Sequence, residues 1–396
     1  MSSVPPALAA LIAGFARSAV APHGGAFRQL APHQLAPPVL QGLLARAGAR
    51  PQEVDAIVLG NALGAGGNPA RMVALAAGLP EACAAYSLDT QCCAGLDAVA
   101  MGAALIASGQ ARLVVAGGVE AWSRAPLRQT RPLHAHEAPQ PYERPPFAPL
   151  PQDDPDLLLA AARFAAERGY TREQQDDYAR RSHERARQSQ GLVANEIIAV
   201  EGLRHDAYPR PLGAAQLARM PVVAQSDLHE AAEAAQCATS ALAVSTRADG
   251  AALVLLASES ARAQLGLRPL ARWHGYRALG GASRMPLTQA LAAADSMLVR
   301  SALPWHALHA IELHDAFAVQ GLQWERHLEE QGVDSALLNR HGGGLARGHP
   351  IGASAAIALV RLLADLQRAP AAGAWGLAAV AGAGGLGSAA LVQSIS

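Results

Sequence analysis

Two helical segments without a polar face constrain the fold of this chain more than any other feature. They span residues 95–108 and 353–366, and apolar side chains occupy nearly every position in both. A helix that is hydrophobic all round has to be buried on all sides. Each is followed by an apolar stretch, at residues 113–117 and 376–382, that is typical of a buried strand. We therefore predict an α/β protein of two halves, each with a buried central helix, which suggests an internal duplication.

Strand and helix patterns alternate along both halves, as expected for layered α/β units. Besides the central helices, we predict helices at residues 35–49, 68–77, 292–302 and 318–328, and strands at residues 7–17, 54–60, 251–257 and 310–313. Residues 85–88 lead into a turn that contains two cysteines. Residues 125–155 are rich in Pro, His and Gln, which indicates a long excursion from the core. Residues 156–190 are predicted to be helical, with Thr171 and Gln174 spaced as a capping box.

The composition excludes several classes of function. The 396 residues have a formal net charge of zero, which argues against nucleic acid or an anionic membrane as the partner. The chain contains no lysine, so a Schiff-base lysine and a Walker-type phosphate loop are excluded. The cysteines form no CxxC pair and the first residues do not resemble a signal peptide, so we expect a reduced, cytoplasmic protein. The apolar residues 375–392 are rich in glycine and are predicted to be buried β structure rather than a membrane helix.

A pair of cysteines stands where the first central helix begins. The sequence Leu-Asp-Thr-Gln-Cys-Cys-Ala-Gly-Leu at residues 88–96 places Cys92 on a tight turn at the N-terminus of this helix. A helix N-terminus carries partial positive charge and free N–H groups. Because that field lowers the pKa of a thiol, we expect Cys92 to be a thiolate nucleophile.

Three segments of the second half, rich in glycine or containing histidine, accompany this cysteine turn. They are Glu-Leu-His-Asp-Ala-Phe at residues 312–317, the stretch 339–354 with Gly-His-Pro-Ile-Gly, and the stretch 376–387. Together with residues 60–61, 68–71, 117–120 and 123–126, they resemble the motifs of the thiolase family, in the same order over nearly the whole chain.

The resemblance implies the fold and its division. The family has two duplicated βαβαβαββ halves, stacked as five α-β-α-β-α layers, with a loop domain inserted in the first half. In this chain we expect residues 1–120 plus 245–268 to form the N-terminal thiolase half, residues 121–244 the inserted loop domain, and residues 269–396 the C-terminal half. The resemblance also implies a homodimer or a dimer of dimers.

The resemblance also assigns roles to residues. Cys92 falls on the acyl-accepting nucleophile, and Cys93 falls where the family usually has a small residue. His349 falls on the histidine that takes the thiol proton and helps to bind the thioester oxygen. His314 falls on a position that donates to the thioester oxygen, directly or through a water. The backbone N–H groups of Cys92 and Ala383 would form a second oxyanion hole.

A coenzyme A thioester is the expected substrate, with no permanently bound cofactor and no metal. The resemblance places Ser245, Ala241, Ala316 and Phe317 at the coenzyme A site. The surrounding stretches 157–163 and 126–156 depart from the family's pattern, which leaves the acyl group open.

The family has a second cysteine that acts as acid and base when the carbon–carbon bond is made or broken, and this chain lacks it. The family places it at the position of Ala381, and some relatives place it at the position of Ala316. Cys83 and Cys237 are the only further cysteines that could replace it.

The resemblance predicts an acyltransferase that forms an acyl-Cys92 thioester, for thiolysis or condensation of a 3-ketoacyl-CoA in fatty acid or ketoacyl metabolism. Two alternatives stay open. One is a decarboxylative condensing or simple acyl-transfer enzyme with a Cys-His-His site, because loss of CO₂ makes a base unnecessary. The other is a weakly active scaffold subunit that needs a partner protein, such as a small OB-fold protein.

Overall fold

The computed structural model describes residues 10–64 and 66–395. The strands are β1 (Leu11–Arg17), β2 (Ala21–Pro22), β3 (Ala56–Gly60), β4 (Ala84–Leu88), β5 (Leu113–Ala121), β6 (Arg128–Thr130), β7 (Gln140–Tyr142), β8 (Val222–Ala224), β9 (Thr239–Ser240), β10 (Ala248–Ala257), β11 (Ala271–Gly280), β12 (Leu308–His314), β13 (Trp375–Gly382) and β14 (Leu386–Ser394). The helices are α1 (Pro32–Ala47), α2 (Pro69–Ala76), α3 (Ala94–Ala107), α4 (Leu157–Arg168), α5 (Arg172–Gln188), α6 (Gln190–Val193), α7 (Ala214–Leu217), α8 (Ala231–Gln236), α9 (Glu259–Leu265), α10 (Gln289–Arg300), α11 (Ala318–Glu330), α12 (Gly344–Arg347) and α13 (Ile351–Leu366).

One sheet runs through both halves of the molecule. Ten strands are connected in the order β12-β13-β14-β11-β1-β10-β5-β3-β4, with β2 paired to β10. The halves join where Leu11 and Ile12 of β1 pair antiparallel with Arg272 and Ala271 of β11. Strands β3, β4 and β5 are parallel, as are β12 and β13. The strand β10 follows the excursion and returns the chain to the first half by pairing with β1 and β5.

The helices form three layers around the two parts of the sheet. In β3, Leu59 points into an apolar cluster with α1 and α2, whereas Val58 points into a cluster with α3 and α13. In β13, Val380 points into that same central cluster and Leu377 into a third cluster with α10 and α11. This alternation confirms the layered α/β fold with α3 and α13 in the middle, because each strand has to bury both faces.

Most predicted elements are present, with shifted ends. The segment 156–190 is not one helix, because Gly169 adopts a left-handed conformation (φ 68°) that separates α4 from α5. Thr171 caps α5 through the predicted capping box with Gln174. The excursion at 125–155 contains the hairpin β6–β7. Residues 375–392 fall in β13 and β14, as predicted, and no helix in the described part of the chain is long and apolar enough to cross a membrane. The first residues of the predicted strand 7–17, residues 7–9, lie outside the described part.

Four glycines allow the N-termini of α3 and α13 to meet. A Cβ atom built on Gly118 would lie 1.9 Å from the carbonyl oxygen of Gly352, and one built on Gly60 or Gly95 would lie 2.6 or 2.8 Å from that oxygen. A Cβ on Gly352 would lie 2.6 Å from the Cα of Asn61. Only glycine lets backbones approach so closely, so these positions determine how near the two helix ends can come.

We expect Gly118→Ala to lower the free energy of unfolding by about 3 kcal/mol or more, because the added methyl group overlaps a backbone oxygen that cannot rotate away. Gly191→Ala is the matched control, since a Cβ at that position meets no atom within 4 Å. It should leave stability unchanged or raise it by up to about 1 kcal/mol. Urea unfolding of both variants measures the difference. Equal stability of the two would contradict the close approach.

Candidate active site

Cys92 lies in a short turn between the edge strand β4 and helix α3. The turn is a single 3₁₀ turn, Gln91–Cys93, and α3 begins at the next residue. Gln91 has a positive φ of 56°, which is uncommon for a residue with a side chain. The carboxylate of Asp89 accepts the Gln91 backbone N–H at 3.0 Å and holds this conformation. The predicted placement of Cys92 at the mouth of a buried helix is therefore what the structure has.

His349 comes from the loop before α13 and faces the thiol. Its Nε2 lies 3.1 Å from Cys92 Sγ, and its Nδ1 lies 2.6 Å from Ser354 Oγ. Ser354 donates its own hydrogen to the carbonyl oxygen of Pro350 at 3.0 Å, so it must accept from His349. We therefore assign the Nδ1–H tautomer to His349, which leaves Nε2 free to accept the thiol proton.

The backbone of His349 is held from both sides. Its N–H donates to Thr246 O at 2.7 Å, and its carbonyl accepts from Trp122 Nε1 at 3.1 Å. The guanidinium of Arg247 stacks on the Trp122 ring at 4.7 Å. These contacts hold the backbone of His349 in place and do not involve its ring nitrogens.

His314 is the third side chain at this place. It ends β12, is 4% exposed, and its ring centroid lies 4.3 Å from that of His349. Its Nε2 has no hydrogen-bond partner among the described residues. Gly344 leaves room for the ring, because a Cβ there would lie 2.6 Å from His314 Nδ1. A buried nitrogen beside His349 without a partner among the described residues calls for a functional explanation.

Burial sets the charge state of this group. Removal of water raises the pKa of Cys92 to about 12, although hydrogen bonds from the backbone N–H groups of Ala383 and Cys92 oppose the change. Burial also lowers the pKa of His349 to about 4 and that of His314 well below its usual range. Burial therefore opposes the resting thiolate that we expected from the field of the helix end. The two shifts favour a neutral thiol beside a neutral imidazole.

The turn between β13 and β14 faces Cys92 from the second half. Ala383 lies in it, and its backbone N–H lowers the pKa of the Cys92 thiol. Gly384 and Gly385 have positive φ values of 76° and 79°. Ala381 is 6% exposed and packs in the outer apolar cluster with α10. The structure thus brings Ala383 to Cys92, and the position of the absent cysteine carries a methyl group.

The remaining cysteines lie elsewhere. Cys83 packs in the outer cluster with α1 and α2, on the other face of the sheet from Cys92. Cys237 packs against α4 in the inserted region. Cys93 is 1% exposed and packs in the central cluster. The structure therefore brings neither Cys83 nor Cys237 to the position of Ala381.

Three of the four residues expected at coenzyme A lie together. Ser245 donates its backbone N–H to Ala316 O at 2.8 Å and its hydroxyl to Gly344 O at 2.6 Å, and Val244 forms a bridge with Phe317. Ala241 begins a one-turn helix, Ala241–Ala243, and donates its backbone N–H to Pro221 O at 2.9 Å. Phe317 packs in an apolar cluster with partly buried side chains of α4 and the segment before α10, namely Leu157, Leu158, Met285 and the buried Leu287.

Glu120 belongs to a motif in the sequence, but its contacts were not predicted. Its carboxylate accepts four hydrogen bonds, from Asn61 Nδ2 at 2.9 Å and from the backbone N–H groups of Ala62, Leu63 and Gly352 at 2.9, 3.3 and 3.0 Å. Burial raises the pKa of Glu120 to about 7. The bond to Gly352 ties the first turn of α13 to the first half. Ser354 was also missed, and its spacing of five residues after His349 was the only signal in the sequence.

We expect no thiolate absorbance from Cys92 at pH 7, when the ultraviolet spectra of the wild type and of Cys92→Ala are compared. Because the folded pKa lies above neutrality, the rate of alkylation of Cys92 by iodoacetamide should rise about tenfold per pH unit between pH 7 and 9. Mass spectrometry of the labelled peptide measures this rate. A plateau below pH 7 would indicate a thiolate–imidazolium pair instead and contradict the neutral assignment.

Comparisons with known proteins agree with this geometry. Residues 10–260 match the family model described as "Thiolase, N-terminal domain", and residues 267–394 match "Thiolase, C-terminal domain". The chain is 32% identical over 389 residues to the putative acetyl-CoA C-acetyltransferase YhfS of Bacillus subtilis, covering 97% of this chain and 99% of that protein. It is also 32% identical over 396 residues to the acetyl-CoA acetyltransferase of Allochromatium vinosum, covering 95% and 97%.

Solved structures match over nearly the whole chain. The acetyl-CoA acetyltransferase of Bacillus anthracis superposes with a TM-score of 0.86 at 29% identity, covering 98% of this chain and 99% of that chain. The Acat5 thiolase of Ascaris suum, solved in complex with coenzyme A, superposes with a TM-score of 0.88 at 26% identity, covering 98% and 100%. The fold, the two family matches and these relatives show that the chain belongs to the thiolase family and is an acyltransferase.

Proposed function

We propose that this acyltransferase forms an acyl thioester on Cys92 from acyl-CoA and uses it in thiolysis or condensation of a 3-ketoacyl-CoA. The observation that carries the proposal is the 3.1 Å contact between Cys92 Sγ and a His349 Nε2 that is free to accept a proton. A nucleophile and a base within hydrogen-bond reach, with the base oriented by a third group, are the arrangement that covalent catalysis needs. Here Ser354 is the third group.

Acylation follows from this arrangement in two steps. Cys92 Sγ attacks the thioester carbon of acyl-CoA while His349 Nε2 takes the thiol proton. The negative oxygen of the tetrahedral intermediate accepts hydrogen bonds from the N–H groups of Cys92 and Ala383. When the intermediate collapses, the thiolate of coenzyme A leaves and recovers the proton from His349. Each oxyanion donor contributes about 3–4 kcal/mol in comparable sites.

Recognition of coenzyme A is proposed for the surface near Ser245, Ala316 and Phe317, with Ala241 at its margin. The apolar cluster around Phe317 suits a pantetheine arm or an acyl chain, because both bury CH₂ groups. The Acat5 thiolase of Ascaris suum, a structural neighbour, was solved with coenzyme A bound, which supports the same ligand class here. No permanently bound cofactor is part of the proposal.

The assembly and the cellular location are part of the same proposal. The edge strand β4 has exposed and half-buried residues and pairs on one side only among the described strands, so it offers an edge to a second copy. We propose a homodimer or a dimer of dimers in the cytoplasm. A small OB-fold partner would be needed only if the chain were a scaffold, and the preserved pairing of Cys92 with His349 speaks against that role.

Decarboxylative condensation is the second candidate for the carbon–carbon step. Ala381 and Ala316 both carry methyl groups, so neither can remove a proton from the carbon next to a thioester. A malonyl-type donor needs no base, because loss of its carboxylate as CO₂ leaves the enolate directly. His314 Nε2, which has no partner in the described part of the chain, could donate a hydrogen bond to the enolate oxygen.

We expect acyl-CoA to leave an acyl adduct on the wild type and none on Cys92→Ala, because the sulfur is the acceptor. Mass spectrometry of the peptide that contains residues 88–96 detects the adduct. Cys93→Ala is the matched control and should be acylated like the wild type, since its sulfur is buried away from the substrate. His314→Ala should be acylated more slowly but completely. An acyl adduct on Cys92→Ala, or the absence of an adduct on the wild type with every acyl-CoA donor, would contradict the proposal.

We expect Ala381→Cys to raise thiolysis of a 3-ketoacyl-CoA at least about 100-fold, because a positioned acid/base group is worth roughly 10²–10⁴-fold. Ala379→Cys is the control on the same face of β13 and should give no gain. Release of CO₂ from a malonyl-type donor is measured in parallel for the wild type. CO₂ release by the wild type with little thiolysis would favour decarboxylation. If Ala381→Cys gave no gain in thiolysis, the absence of an acid/base cysteine would not be what limits thiolysis.

A further inference from the structure

One carboxylate next to the Cys92 turn accepts hydrogen bonds from hydroxyl groups of both halves. Asp97, in the first turn of α3, accepts hydrogen bonds from Thr90 Oγ1 and Ser388 Oγ, each at 2.7 Å, and from the hydroxyl of Tyr276. The oxygens of Tyr276 and Ser388 lie 3.1 Å apart. Burial, with the neighbouring carboxylate, raises the pKa of Tyr276, so this hydroxyl stays a donor. Neither the acylation chemistry nor the coenzyme A surface uses these four groups.

On the side of the first half, the carboxylate holds the start of the nucleophile turn. Thr90 immediately precedes Gln91, whose positive φ costs conformational energy. The carbonyl of Thr90 also accepts the N–H of Cys93 at 3.2 Å. A fixed Thr90 therefore holds the start of the turn Gln91–Cys93 through the chain and its end through the bond from the Cys93 N–H. This turn determines where the Cys92 N–H points.

On the side of the second half, the same carboxylate holds the β13–β14 turn. Ser388 pairs with Val380 in the β13–β14 ladder, so it lies next to the strand end that leads into Gly382 and Ala383. The two turns touch, because a Cβ built on Gly382 would lie 3.1 Å from Cys93 Sγ and 3.5 Å from Thr90 O. A shift of Ser388 would therefore move the Ala383 N–H relative to Cys92.

We propose that Asp97 is a positioning residue for acyl transfer, which holds Thr90 and Ser388 together so that the N–H groups of Cys92 and Ala383 stay aimed at one point. The inference rests on the proposed function, because the oxyanion that these donors would bind forms only during acylation. A carboxylate suits the task, since its two oxygens accept from all three hydroxyls, whereas an amide would replace one acceptor oxygen by donors.

The test uses substitutions that change hydrogen bonding and keep shape. Thr90→Val removes the hydroxyl, and we expect kcat for acylation to fall about tenfold or more while KM for acyl-CoA changes less than about twofold, because only transition-state contacts are lost. Thr90→Ser keeps the hydroxyl and should restore kcat. Asp97→Asn should lower kcat about as much as Thr90→Val. The double variant should be no slower than either single variant, because both substitutions break the same link between Thr90 and Asp97.

Two further measurements separate positioning from general stability. Thr171→Val removes a different threonine hydroxyl, the cap of α5, and should lower thermal stability without changing kcat. Alkylation of Cys92 by iodoacetamide at a fixed pH needs no acyl-CoA. It should be several-fold slower in folded Thr90→Val, because misaligned N–H groups stabilise the thiolate less.

Each outcome decides between the claims. A folded Thr90→Val with wild-type kcat and wild-type alkylation overturns the positioning role, as does a Thr90→Ser as slow as Thr90→Val. If the wild type forms no acyl adduct, the proposed function fails, whereas the alkylation comparison still tests the alignment by Asp97.

Discussion

The close approach of two backbones determines everything else at this site. The carbonyl of Gly352 lies so near Gly60, Gly95 and Gly118 that no side chain fits at those three positions. As a result the N-terminal ends of α3 and α13 meet beside the end of β3 and Gly118 of β5. Cys92 Sγ and His349 Nε2, on residues 257 positions apart in the sequence, come within 3.1 Å of each other. Glu120 keeps this geometry by accepting the N–H of Gly352 at 3.0 Å.

The same packing sets the chemistry of the pair. Because both helices are buried, the thiol and the two imidazoles lose much of their contact with water, which raises the pKa of Cys92 and lowers those of His349 and His314. These shifts disfavour charge on the resting groups, so charge develops mainly when a thioester is attacked. In the proposed acylation, the N–H groups of Cys92 and Ala383 stabilise the charge that forms on the thioester oxygen, rather than a thiolate in the resting state. This arrangement fits the proposed acylation, in which the donors act where charge forms in the transition state.

Much of the fold follows from pattern alone. The apolar composition of α3 and α13 predicted two buried helices, and the motifs around Cys92 and His349 predicted the site. The capping box at Thr171 marked the start of α5, but the end of α4 at Gly169 was missed, because one glycine is a weak signal within a long helical pattern. The contacts of Glu120 and Asp97 could not be predicted, because most of their partners are polar groups far away in the sequence and no periodic pattern marks them.

The sequence by itself determined which segments are buried and that Cys92 stands where the first central helix begins, because periodicity and glycine positions are local properties; the resemblance to the thiolase family added His349 and His314. Only the tertiary structure decided the environment that raises the pKa of Cys92, the tautomer of His349, and the joining of both halves through the pairing of β1 with β11. These depend on how much water is excluded and on which donor meets which acceptor. Both are set by packing between residues that the sequence places hundreds of positions apart.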